Sequence, residues 1–131
     1  MSDETNYHDY HTVTPYLIVP NVPRLLEFLA EAFDAKERIR LGRPDGSIMH
    51  AEVTIGDSVV MMGEPTEKTG PMPASIFLRV ADADAAYCKA LQAGATSISE
   101  PVDQPHAGER YGGVIDPCGN RWWPAARIPA S

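Results

Sequence analysis

Polar and apolar residues alternate with period two along Met49-His50-Ala51-Glu52-Val53-Thr54-Ile55, the pattern of a strand with one face in a core. Upstream, Thr14–Val19 is rich in β-forming residues and ends at Pro20-Asn21, which predicts a first strand. Leu25, Leu26, Leu29, Ala32 and Phe33 then recur at helical spacing and predict a helix with one apolar face. Asn21 or a neighbour is placed to cap that helix, with Pro23 in its first turn. Arg38–Leu41 and Ser58–Met62 read as strands, with turns at Asp45-Gly46 and Gly56-Asp57. The first half is thus strand, helix, strand, strand, strand.

Residues 64–74 hold prolines and a glycine and read as a linker, after which the order restarts. Ile76–Val80 predicts a strand, and Asp82 or Asp84 caps a helix with Ala86, Tyr87, Ala90 and Leu91 on its apolar stripe. Gly94 stops this helix, and Thr96–Ser99, Arg110–Ile115 and Arg121–Trp123 supply three more strands. The halves register on each other: Leu17 on Leu78 at an offset of 61, Phe33 on Ala93 at 60, and Gly56 on Gly119 at 63. A near-constant offset at three landmarks makes the chain a tandem of two βαβββ modules, 12–63 and 75–128, within one domain over 12–131. Residues 1–11 lack periodicity and read as a flexible tail, in which His8 and His11 are exposed.

Composition narrows the partners. With 11 basic and 18 acidic residues the net charge is −7, which disfavours nucleic acid and anionic membranes and would attract a cationic ligand. No apolar run is long enough to span a bilayer, and the first residues show no signal-peptide pattern, so a cytoplasmic location is expected. Cys88 and Cys118 form neither a metal-spacing motif nor a disulfide framework.

The stretches Pro15-Tyr16-Leu17, Asp45–Glu52 and Asp116-Pro117-Cys118-Gly119-Asn120-Arg121-Trp122-Trp123 resemble the vicinal oxygen chelate superfamily, which includes glyoxalase I, bleomycin-resistance proteins and extradiol dioxygenases, and in particular its PhnB-like branch. The resemblance implies an α+β fold in which two βαβββ modules form curved mixed sheets around a cavity, often completed in a homodimer. It also implies a divalent metal held by the first and fourth strands of both modules. Carried onto this chain, those positions are Thr14, Val60, Ser75 and Trp123, none of which is a usual ligand for a divalent ion. The expectation is no cofactor at the inherited centre, with a metal at another site left open.

Alternation places Met49, Ala51, Val53 and Ile55 toward the helices, and His50, Glu52 and Thr54 toward the cavity. His50 and Glu52 are therefore the candidate acid–base pair, or two ligands of a displaced metal, or a hydrogen-bonded pair in a wet cavity. By the repeat register Trp123 and Arg121 take the cavity side and, with Tyr16 and Phe77, would line a site for a planar or cationic ligand. His106 falls in a loop, and Cys118 in a turn with no base nearby. Two functions stay open: metal-independent binding of a small organic molecule, in sequestration or resistance, or a lyase, isomerase or dioxygenase using His50 and Glu52.

Overall fold

Along the first strand Leu17 and Val19 are completely buried, whereas Tyr16 is exposed on the opposite face. This alternation forms β1 (Tyr16–Ile18) in the computed structural model, which describes residues 10–129. The chain continues through α1 (Val22–Phe33), β2 (Lys36–Gly42), β3 (Ile48–Ile55) and β4 (Ser58–Gly63). The second half gives β5 (Ser75–Arg79), α2 (Ala83–Gln92), β6 (Thr96–Gln104), β7 (Glu109–Ile115) and β8 (Arg121–Arg127). Each half makes one four-stranded mixed sheet, with strand orders β1-β4-β3-β2 and β5-β8-β7-β6, so the same topology occurs twice. In each, the first strand runs parallel to the fourth and the remaining pairs are antiparallel.

Both helices lie on the core side of the sheets and pack on each other. Leu25, Phe28 and Leu29 of α1, Ala86 and Ala90 of α2, and Ala51, Val53, Val114 and Trp122 from the sheets belong to one apolar cluster. Phe33 at the end of α1 meets the indole of Trp122 on β8, their centroids 5.4 Å apart, so the modules share a core. The opposite face of each sheet is turned away from the helices and is called the outer face below.

The turn between β7 and β8 is held by one buried carboxylate. Asp116 accepts hydrogen bonds from the backbone N–H groups of Cys118 and Asn120, from the Asn120 amide and from Trp122 Nε1, at 2.8–3.0 Å. Asn120 in turn accepts from the Ala74 N–H at 3.0 Å and ties the linker to the start of β8. Buried polar groups are tolerable when satisfied in this way.

The helix ends differ from the sequence reading at one point. Asp82 caps α2 through Ala85 N–H as expected. Asn21 occupies the cap position of α1 with φ of 60°, but its side chain makes no capping bond. Glu64 takes that role from the far end of β4, accepting from Val22 N–H at 2.8 Å and from Ile48 N–H at 3.2 Å. A carboxylate at a helix N-terminus also meets the positive end of the helix dipole.

Two face assignments also change. The pairing of β2 with β3 skips a residue between Leu41–His50 and Gly42–Ile48, leaving Met49 as an extra residue in β3. Ile48 rather than Met49 is consequently buried, and Met49 is 46% exposed, while Ala51, Val53 and Ile55 keep the core side. On β4, Val60 pairs with Val53 and is buried in the core, whereas Met61 pairs with Tyr16 and Glu52. Met61, not Val60, is therefore the outer-face counterpart of Trp123, which pairs with Phe77 in the second module.

Candidate functional site

The outer face of the first sheet carries a continuous hydrogen-bonded chain. Because β3 alternates, His50 and Glu52 emerge on the same face two residues apart, and His50 Nε2 lies 2.8 Å from Glu52 Oε2. Tyr16 projects from β1, and its hydroxyl lies 3.1 Å from His50 Nδ1. On the other side, Glu52 accepts from the Tyr10 hydroxyl at 2.8 and 3.0 Å and from Arg38 Nε at 3.3 Å. The Arg38 guanidinium also stands over the Tyr10 ring, 5.5 Å from its centroid.

These contacts decide what each group can do. Glu52 lies on the face opposite the helices and is only 3% exposed, so its carboxylate is not open to a ligand in this chain. Burial works against its charged form, but hydrogen bonds from His50 and Tyr10 with the nearby positive charge outweigh it and hold the carboxyl below its usual range. The Tyr10 phenol is pushed up, by burial and then by its bond to Glu52. Both ring nitrogens of His50 are engaged, one by Glu52 and one by Tyr16. No group of three or more potential metal-ligating side chains occurs among the described residues. The inherited outer-face positions hold Thr14, Met61, Ser75 and Trp123, a donor set that does not suit a divalent ion.

The second sheet presents an aromatic outer face instead. Phe77 is 51% exposed and meets Tyr111 edge to face, their centroids 5.5 Å apart. Trp123 donates from Nε1 to Ser75 Oγ at 2.8 Å, which fixes the indole over Gly113. Arg79, paired with Glu109 at 2.7 Å, and Arg121 are exposed at the two ends of this face. Within one chain, Tyr16 thus sits on one sheet and Phe77, Arg121 and Trp123 on the other.

A cleft of about 760 Å³ opens between the modules, beside β5, the β3–β4 turn and the end of α1. Phe33, Val59, Ile76, Leu78 and Val80 line it, and it contains neither His50 nor Glu52. A smaller pocket of about 250 Å³ contains Tyr16, with Ile18, Arg43, Met49 and Gly63. The smaller one matters more chemically, because it reaches the hydroxyl at the end of the hydrogen-bonded chain.

Some features escaped the sequence reading. Tyr10 was assigned to the tail, of which residues 1–9 lie outside the described residues; Tyr10 itself holds Glu52. The tail shows no periodicity, and nothing local links residue 10 to residue 52. The sequence places Arg38 on a strand and Tyr111 at the start of one, beside the segment that holds His106, and neither position points to its partner. His106 and His11 are exposed. Burial, then the charge of Asp116, pushes the Cys118 thiol up to about 11, which leaves it inert as a nucleophile.

Paired βαβββ modules of this topology define a glyoxalase-type scaffold. The model of the Glyoxalase/Bleomycin resistance protein/Dioxygenase superfamily matches residues 10–123, and the chain belongs to that family. It is 36% identical over 121 residues to an uncharacterized protein of Mycobacterium bovis, across 84% of this chain and 79% of that one. Among solved structures, TioX from Micromonospora sp. ML1 is similar with a TM-score of 0.75 at 23% identity, covering 89% of this chain and 98% of its own. TnmS3 from Streptomyces sp. CB03234, described as an antibiotic binding protein, has a TM-score of 0.71 at 18% identity and covers 89% of this chain and 95% of its own. These two likenesses establish the fold.

Proposed function

We infer that this protein binds a small, partly planar organic molecule against the outer faces of its sheets, without a metal at the inherited centre, in sequestration or resistance. The observation that carries this reading is the aromatic floor of the second sheet, exposed Phe77 beside half-buried Tyr111 and Trp123, at positions where metal ligands are replaced by Ser75 and Trp123. A site without a metal must hold its ligand by stacking and hydrogen bonds. TnmS3, a structural relative described as an antibiotic binding protein, is consistent with such a use of the fold. The ligand is aromatic rather than cationic: although the whole chain is acidic, Arg38 and Arg79 balance Glu52 and Glu109 on these faces and Arg121 adds a further positive charge.

A homodimer completes the site in this reading, by setting the Tyr16 face of one chain against the Phe77–Trp123 face of its partner. Exposed aromatic outer faces are the surface such a pairing would cover. Three measurements on the purified protein test the reading together: sedimentation, elemental analysis, and thermal shift against a panel of planar aromatics. A dimer, less than stoichiometric metal and a raised Tm with at least one compound are expected. A monomer at micromolar concentration, or about one zinc, nickel or iron per chain on these strands, would overturn it.

A further inference from the structure

We propose that Tyr16, His50 and Glu52 form a proton relay whose outer terminus, the Tyr16 hydroxyl, takes a proton from an acidic hydroxyl group of the bound molecule, so that the ligand class is phenolic or enolic. The proposal rests on the reading that the outer face of the first sheet binds a ligand, and it specifies what that face does.

The hydrogen-bond roles follow from charge. Glu52 accepts from Tyr10 and Arg38 and is held ionised, so it can only accept, and His50 Nε2 must carry a proton toward it. In the neutral imidazole Nδ1 is then a lone pair, and the Tyr16 hydroxyl 3.1 Å away donates to it. The order hydroxyl, imidazole, carboxylate is that of a nucleophile or acid–base group backed by a base and an orienting anion. Tyr10 and Arg38 act as positioning residues, because each bonds the carboxylate that orients His50. Met61, the β4 residue paired with both Tyr16 and Glu52, contributes no charge.

The hydroxyl end is open where the carboxylate end is closed. Tyr16 is 46% exposed and borders the 250 Å³ pocket, in which Arg43 is the cationic side chain and Glu64, whose carboxylate is turned to the Val22 and Ile48 N–H groups, the anionic one. Gly63 forms one wall: a Cβ there would lie 3.4 Å from the Tyr16 oxygen and 2.6 Å from the Met49 carbonyl oxygen. A side chain at 63 would clash with the Met49 carbonyl and come into contact with the hydroxyl, so glycine is what lets β4 pass this close to both.

The step balances without a co-reactant. The ligand O–H bond breaks and its proton passes to the Tyr16 oxygen, while the Tyr16 proton passes to His50 Nδ1. The ligand becomes an oxyanion and His50 an imidazolium whose Nε2–H remains on Glu52. The half-buried charge is acceptable there because the new cation stays in contact with the carboxylate.

4-Nitrophenol is a suitable probe, since its acidity is close to that of imidazolium and its phenolate has a separate absorption band. With protein in excess, below the pH at which the free probe ionises, the wild type should raise the phenolate band several-fold over buffer. Tyr16→Phe should remove most of that band while retaining the heat of binding in calorimetry, and His50→Gln should do the same. Tm values for both variants establish that they are folded. In ligand-free protein, ¹⁵N histidine NMR should find neutral His50 protonated on Nε2, with an Nδ1 signal that changes in Tyr16→Phe. Heat of binding without a phenolate band in the wild type overturns the relay and leaves the binding reading intact. Neither heat nor band overturns the relay for phenols and also counts against an aromatic ligand. An equal band in Tyr16→Phe, or a neutral Nδ1–H tautomer, overturns the relay outright.

Discussion

Gly113 lies directly beneath Trp123: a Cβ at position 113 would come within 2.4 Å of indole Cζ3 and 2.5 Å of Cε3. The glycine on β7 is thus what lets the indole lie flat on the outer face while Nε1 reaches Ser75.

Gly113→Ala should therefore lift the indole and break that bond. Overpacking of this kind costs about 1–3 kcal/mol. A lower denaturation midpoint with a shifted tryptophan emission maximum would confirm it; unchanged emission would show that the ring does not rest on residue 113.

Trp123→Ala should weaken binding of a planar ligand by more than about 1 kcal/mol, the scale of a central aromatic contact. Ser75→Ala, which removes only the indole's partner, should have a smaller effect. Calorimetry with a compound found by thermal shift measures both, and equal affinity of Trp123→Ala and wild type would remove the second sheet from the site.

Glu52 should make folding sensitive to acid. Its folded pKa lies below the ordinary 4.5, so its contribution is complete above that pH and is lost as pH falls through the lower folded value. Glu52→Gln should cost about 1–3 kcal/mol at pH 7, where Arg38 and His50 lose a charged acceptor, and should flatten the dependence below pH 4.5. Denaturant titrations between pH 7 and 3 give both quantities. A parallel acid dependence in the two proteins would assign it to other carboxylates.

Much of the fold is legible because the physics is local. Alternation along Ala51–Ile55, the apolar stripe from Leu25 to Phe33 and the turn residues around Gly56 and Gly119 each act within a few positions, and they repeat at a near-constant spacing. The errors come from contacts made at a distance. Met49 changes face because β2 pairs with β3 through a bulge, and Glu64 caps α1 from 42 residues away. The relay was half visible: His50 and Glu52 share a strand, but Tyr16 and Tyr10 reach them from 34 and 42 residues away. Separation of Tyr16 from Phe77 and Trp123 depends on how the two sheets are set on the helices, which no single strand encodes.

Removal of the distant cap provides a direct check on this. Glu64→Ala should cost about 0.5–2 kcal/mol, the usual range for losing a helix cap, and as much as Asp82→Ala at the conventional cap of α2. Chemical denaturation of the two variants compares them; a neutral Glu64→Ala would mean that water replaces the carboxylate at Val22.

The thiols should separate by reactivity. Cys88 is exposed, while Cys118, raised to about 11, is half-buried with its sulfur 3.5 Å from the Asn21 carbonyl oxygen. At pH 8 a maleimide or iodoacetamide should modify Cys88 first, and peptide mass analysis should find Cys118 labelled many-fold more slowly.

The meeting of Phe33 with Trp122 bears on how a duplicated sequence becomes one protein. If each half descends from a unit that once paired with copies of itself, the contact across the seam is where self-association was converted into an internal bond. Trp122 is fully buried by it and Phe33 nearly so. Neither half can now be cut away without baring a large aromatic side chain of the other, so the repeats have traded autonomy for each other's company.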